Sequence, residues 1–195
     1  MKKLKWKGGA LLAPVPPVMV TCGDMENSNI ITIGWTGILN SNPPVTYISI
    51  RPSRHSYNIV KERGEFVINL TTEALAKAAD YCGIYTGAKV DKFKKCNLTK
   101  EPATQVACPM IAEAPMSIEC RVRDVIPMGT HDVFVADILA VNVSDDLIDE
   151  SGKIRMDKAN LVAYTHGEYF ALGKKLGNFG FSAAKKKKRK PTPKK

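Results

Sequence analysis

Residues 29–50 read NIITIGWTGILNSNPPVTYISI, two strand-like runs on either side of a polar break. NIITIGW (29–35) is β-branched and apolar, and TGILNSNPP supplies a turn. VTYISI (45–50) alternates, so Val45, Tyr47 and Ser49 face one way and Thr46, Ile48 and Ile50 the other. Pro52 stops the second run. SRHSYNIVKERG then carries the punctuation of a short helix, with Ser53 or Ser56 as cap and Gly64 as its end. EFVINL (65–70) returns to strand.

Outward from this block the same pattern continues. TTEALAKAADYCG (71–83) has a Thr cap, Glu73 in the first turn, several alanines and a terminal glycine, which predicts a second helix. Residues 84–105 are mixed and read as irregular. MSIECRVRDVI (116–126) alternates, with Ile118, Cys120 and Val122 on one face and Glu119, Arg121 and Arg123 on the other. HDVFVADILAVNV (131–143) is longer and more apolar, suited to a central strand or a partner contact, and GTHD forms the turn before it. SDDLIDESGKI is a polar excursion with a tight turn at Ser151–Gly152, and NLVAYTHGEYFALGK adds short elements near 160–165 and 168–172. Four or five strands with two short helices predict a mainly β barrel. A Rossmann unit is rejected, because YCGIYTG and ALGKKLG lack the GxGxxG arrangement after a strand.

The totals fit one domain. The chain has 195 residues, and its 44% apolar content suffices for a sizeable core. Its net charge of +10 is concentrated at one end, since KKKKRKPTPKK (185–195) holds eight basic residues and no acidic one. The remaining 184 residues carry 21 basic against 19 acidic side chains. The organisation is therefore a domain over 1–184 and a solvated basic tail over 185–195. The tail attracts phosphate at low salt, but no reading motif accompanies it, so no specific nucleic acid is expected. No run approaches the ~18 apolar residues of a membrane span, and Pro14, Pro16 and Pro17 break ALLAPVPPVMV, which suits a chain entering a barrel better than a signal peptide. Five unpaired-looking cysteines and three scattered histidines point to a reduced, cytoplasmic protein with no metal site.

Six segments in order resemble the flavin reductase-like, FMN-binding split-barrel family, especially its flavoredoxin-like branch. They are PVPPVMVTC (14–22), NIITIGWTGILNSNPP (29–44), ISIRPSRHSYNIVKERGEFVINL (48–70), DYCGIYTGAKVDKF (80–93), GTHDVFVADILAV (129–141) and HGEYFALGKKLGNFGFS (166–182). The resemblance implies a Greek-key split β-barrel, a homodimer, FMN near the subunit interface, and NADH or NADPH as an electron donor.

The resemblance also assigns roles, each beside a plainer reading. RPSRHS places two guanidiniums and two hydroxyls where a strand enters a helix, so Arg51, Ser53, Arg54 and Ser56 are candidates for the FMN phosphate, Arg51 and Ser56 first. The plainer reading is a capped helix with solvent-facing arginines. Lys92 of the VDKF segment is placed near the same phosphate, or is one of several solvated lysines. TIGWTG is placed as the flavin wall, with Thr32, Gly34 and Thr36 on the flavin-facing side and Ile33 and Trp35 on the opposite one; Trp35 is counted with the site, although a buried core Trp accounts fully for it. Asn40 and Ser41 complete the site from the following turn. Cys82, Gly83, Thr86 and Gly87 supply the small-residue flavin loop, with Cys82 read as helix-end packing rather than a redox thiol. His131 reaches substrate, or is a turn histidine bonded to neighbouring backbone. No catalytic side chain is expected, because flavin itself carries the electrons.

Two redox functions follow, with nucleic-acid binding by the tail as a third class. One is an FMN-dependent oxidoreductase passing electrons from reduced nicotinamide to flavin or another small acceptor. The other is an FMN-containing electron carrier for a redox protein.

Overall fold

In the computed structural model, which describes residues 1–183, the opening block becomes three strands, and a further strand precedes it. They are β1 (Val18–Gly23), β2 (Ser28–Ile33), β3 (Thr36–Ser41) and β4 (Pro44–Ile50). β1 and β2 form a hairpin in register from Val18↔Ile33 to Gly23↔Ser28. Its turn is held by the Asp24 carboxylate, which accepts from the amides of Glu26 and Asn27.

The run TGILNS, expected as a turn, is strand β3. It pairs with β4 from Thr36↔Ile48 to Ser41↔Pro44, leaving only Asn42 and Pro43 to turn. Two threonines reinforce the pairing: Thr36 Oγ1 donates to the Tyr47 carbonyl at 2.5 Å and Thr46 Oγ1 to the Gly37 carbonyl at 2.9 Å. The expected strand 29–35 is correspondingly shorter, because the backbone bends at Gly34 and Trp35.

Next come α1 (His55–Arg63), β5 (Glu65–Asn69) and α2 (Ala76–Ile84). Gly64 ends α1 with a left-handed φ of 68°, and its amide donates to the Val60 carbonyl. The start of α2 falls later than the Thr cap predicted. Thr72 instead closes a turn before the helix, its hydroxyl and carbonyl both accepting from the Leu75 amide. The stretch read as irregular contains α3 (Lys92–Lys95), capped by Asp91, whose carboxylate accepts from the Lys94 amide. The remaining strands are β6 (Lys100–Glu101), β7 (Met110–Ile111), β8 (Met116–Pro127), β9 (Asp132–Val143), β10 (Val162–Thr165) and β11 (Glu168–Ala171).

Seven strands form one antiparallel sheet in the order β2-β1-β5-β8-β9-β4-β3. Its two edge strands, β2 and β3, follow one another in the chain across the Gly34–Trp35 corner. The sheet therefore curls back on itself, and the Ser49 amide donates to the Trp35 carbonyl at the seam at 3.0 Å. The result is the mainly β barrel that the strand pattern predicted, in the split form that the resemblance implied.

Inside lie Val20, Ile31, Ile33, Ile48, Ile50, Phe66 and Phe134, joined by Tyr57 and Val60 of α1. Each such side chain contributes roughly 1.5–3 kcal/mol by leaving water. A second cluster seats α2 and α3 on the barrel through Met19, Ile30, Ala79, Cys82, Phe93 and Ile111.

One alternating position stands apart. Glu119, which shares the charged face of β8 with Arg121 and Arg123, is fully buried. The loop before β7 covers it, and its carboxylate accepts from the Thr104 amide and hydroxyl, the Gln105 amide and Asn142 Nδ2 at 2.5–2.9 Å. Burial opposes its charge, but these bonds prevail and hold its pKa below the usual 4.5.

The hairpin β10–β11 turns at His166 and Gly167, both with positive φ, and attaches to the body by reciprocal backbone bonds between Val15 and Tyr164 at 3.0 and 2.9 Å. Among the described residues no helix is long and apolar enough to cross a membrane. The basic segment 185–195 lies outside the described residues.

Candidate functional site

The Gly34–Trp35 corner, the β4–α1 turn, the end of α2, the start of β9 and the β10–β11 hairpin surround a cavity of about 560 Å³. A smaller one of about 70 Å³ shares Ile31, Ser53 and Arg54 with it. Together they make one groove with a narrow polar end and a wide aromatic end.

The narrow end is built on the turn that starts α1. Arg51, Pro52, Ser53 and Arg54 form it, with the Arg54 amide donating to the Arg51 carbonyl at 3.0 Å, and proline suits its second position. Arg54 itself occupies the N-cap and makes no side-chain cap bond, so neither Ser53 nor Ser56 caps the helix as expected. Ser56 lies inside the first turn, buried, and its hydroxyl accepts from Asn29 Nδ2 at 2.7 Å. An α-helix leaves its first amides without carbonyl partners, so those of His55 and Ser56 face this end as donors.

Three further contacts fix the walls. The Arg54 guanidinium donates to the Gly83 carbonyl. The buried Lys92 ammonium donates to the carbonyls of Ile30 at 2.6 Å and Cys82 at 2.8 Å, leaving a third proton. Burial lowers its pKa below 10.5. Gly87 approaches so closely that a Cβ there would collide with the Asn29 carboxamide. The requirement for glycine at this position is therefore steric.

The wide end has a different make-up. Trp35 is 46% exposed, so it is no core residue, and its ring lies 4.5 Å from that of His131. Arg51 Nε donates to His131 Nε2 at 3.3 Å, which requires a neutral imidazole there. Burial and the Arg51 charge both hold the His131 pKa below 6.5. Across the cavity Tyr164 and Tyr169 meet edge to face at 5.1 Å. The Tyr169 phenol is pushed up to about 12 by burial and by Asp80.

The structure thus brings Thr32, Gly34, Trp35, Arg51, Ser53, Arg54, Ser56, Gly83, Thr86, Gly87, Lys92 and His131 to the groove. Four expected residues lie outside it. Thr36 turns away past the corner, its hydroxyl bonded to the Tyr47 carbonyl. Asn40 and Ser41 sit exposed at the far end of the β3–β4 hairpin, because β3 carries them away from the corner. Cys82 packs beneath α2, where burial pushes its thiol up to about 12, so it is not a thiolate near neutral pH. Arg51 lines only the wide end, so Arg54 is the arginine at the narrow one.

Asn29, Asp80, Tyr164 and Tyr169 also line the groove and were not singled out. A polar residue opening the apolar run NIITI was the available signal for Asn29; the tyrosines had none. An anion fits the narrow end and a planar ring the wide end.

A family model described as a flavin reductase-like domain matches residues 11–173. The flavoredoxin of Desulfovibrio vulgaris (Miyazaki F) superposes with a TM-score of 0.86 at 33% identity, covering 95% of this chain and 100% of that one. A flavoredoxin from Methanosarcina acetivorans gives 0.83 at 25% identity, over 94% and 100%. An NADPH-flavin oxidoreductase of Streptomyces viridifaciens is 23% identical over 128 residues, 65% of each chain. The chain belongs to the flavin reductase-like, FMN-binding split-barrel family.

Proposed function

We propose that this chain binds FMN along the groove and acts as an FMN-dependent oxidoreductase, drawing electrons from NADH or NADPH and delivering them to flavin or another small acceptor. The observation that carries this reading is that a narrow donor-rich cavity adjoins a wide aromatic one across Ile31, Ser53 and Arg54. The larger cavity lies within the ~300–1,000 Å³ of small-molecule sites.

The fit is chemical as well as steric. A phosphate is matched by Arg54, the first amides of α1, the Ser53 and Thr86 hydroxyls and the remaining proton of Lys92. A flat ring system is matched by the small wall at Gly34 and Gly83. Bound FMN supplies the electron-carrying chemistry. The chain's own residues bind, orient and exclude water: Lys92 and Asn29 hold the narrow end in shape, and the two tyrosines shield one side of the wide end. His131, neutral and backed by Arg51, offers its ring beside Trp35 to the electron donor or acceptor. We assign the working form as a homodimer.

The half-exposed Trp35 at the mouth favours one second reading, an electron carrier on which a redox protein docks. Both are tested by loading the protein with FMN and following nicotinamide oxidation without oxygen. Reduction by NADH or NADPH supports the oxidoreductase. Binding without reduction, but rapid reduction by a protein donor, supports the carrier. Failure to bind FMN removes both.

A further inference from the structure

We infer that residues 1–12 and 172–183 are arms that pack on a second copy of this chain and so hold one wall of the groove in place. The inference deepens the homodimer proposed above by naming what holds it together.

Apart from the Leu172 amide and the Lys175 charge, which lies near Asp157, both segments leave their own body uncovered. Their backbone bonds beyond Leu172 are local, as between Leu11 N and the Gly9 carbonyl or Phe181 N and the Asn178 carbonyl. Yet they are not the polar segments that stay solvated by composition. Trp6 is 76% exposed, Leu176 84%, and Phe179 fully exposed, with Leu4, Leu12 and Phe181 also uncovered. The body has a matching deficiency. Ile38 and Leu39 on β3, Ile126 on β8 and Leu139 and Val141 on β9 are exposed apolar side chains of the barrel's outer surface.

Charge points to the same occupant. The arms hold six lysines (2, 3, 5, 7, 174 and 175) and no acidic residue, whereas residues 13–171 hold 15 basic against 19 acidic side chains. A chain that carries both an apolar, cationic arm and an apolar, net anionic body is complementary to itself. One two-fold axis satisfies both copies at once.

The arms also leave from a consequential place. Val15, which ends the first arm's approach, pairs with Tyr164, and the Leu172 amide, which begins the second, donates to the Leu161 carbonyl at 3.3 Å. Both therefore flank the β10–β11 hairpin, whose Tyr164 and Tyr169 line the wide end. Seating the arms on a partner fixes that wall.

The test combines sedimentation velocity over a dilution series with amide exchange of residues 173–183 in the full-length protein. The expected result is a dimer whose arm amides are protected above the dissociation midpoint and exchange like a free peptide below it. Leu176→Ser, Phe179→Ser and Phe181→Ser together weaken the dimer by about 100-fold, the scale for losing buried aromatic anchors, without lowering the thermal midpoint of the diluted monomer. Lys174→Glu with Lys175→Glu, which adds no apolar loss, weakens it by about tenfold. A dimer with freely exchanging arms at every concentration overturns the inference, as does a chain that stays monomeric. The flavin spectrum of the same samples reports FMN binding separately, so failure of the arms is distinguishable from failure of the cofactor reading.

Discussion

The two ends of the groove are built by different means. At the narrow end each wall is tied to another element: Asn29 of β2 to Ser56 of α1, Arg54 to the end of α2, and Lys92 to both β2 and α2. At the wide end Trp35, His131 and Arg51 meet through one ring contact and one 3.3 Å bond, and the tyrosines arrive on a separate hairpin. A site built by cross-element bonds cannot change without cost to the fold, whereas one built by loosely joined side chains can. Under the function proposed above, cofactor retention belongs to the narrow end and choice of electron partner to the wide one.

The harshest way to break this contrast is Lys92→Met, which keeps the volume but strands the Ile30 and Cys82 carbonyls. It is expected to cost about 3 kcal/mol in urea unfolding and to empty the protein of FMN. Trp35→Ala, by comparison, is expected to cost less than about 1 kcal/mol, because the ring is half exposed already. Comparable losses for the two would erase the distinction.

Next in size is the pair of arginines. Arg54→Ala is expected to weaken FMN binding by about 100-fold in fluorescence titration, as loss of a charge-assisted contact implies, and Arg51→Ala by about tenfold or less. The reverse order would return the phosphate to Arg51.

The mildest effect is in pH. His131 has a folded pKa below its ordinary 6.5, so the folded state resists protonating it. Stability is therefore full above 6.5, falls as pH drops through that value, and levels off below the folded pKa. His131→Gln should flatten this part of the unfolding-midpoint profile. An unchanged slope would mean that Arg51 and His131 are not coupled as the geometry indicates.

The sequence disclosed one end of the groove better than the other for a physical reason. RPSRHS, the glycine-containing loop at 83–87 and the DKF lysine are local patterns, and local patterns build the narrow end. The tyrosines of the wide end come from a hairpin more than a hundred residues beyond Trp35, and tertiary pairing through Val15, Thr71 and Thr72 brings them there. TGILNS looked like a turn because Asn40, Ser41 and Asn42 are polar, while its pairing with β4 depends on register. The burial of Glu119 was not legible because alternation describes one sheet face and says nothing of the loop that covers it. Arg51 ranked ahead of Arg54 on its match to the family's phosphate segment, because that match carries no trace of the turn at Pro52, which leaves Arg51 at the wide end and brings Arg54 to the junction with the narrow one.

The central claim, that the narrow end holds the FMN phosphate, is tested most directly by titrating the wild-type protein and Arg54→Ala with FMN and with riboflavin, which lacks that phosphate. The account predicts that wild type binds FMN about 100-fold or more tightly than riboflavin, and that Arg54→Ala removes most of the difference while leaving riboflavin affinity nearly unchanged. Equal affinity of the wild type for the two flavins would contradict it.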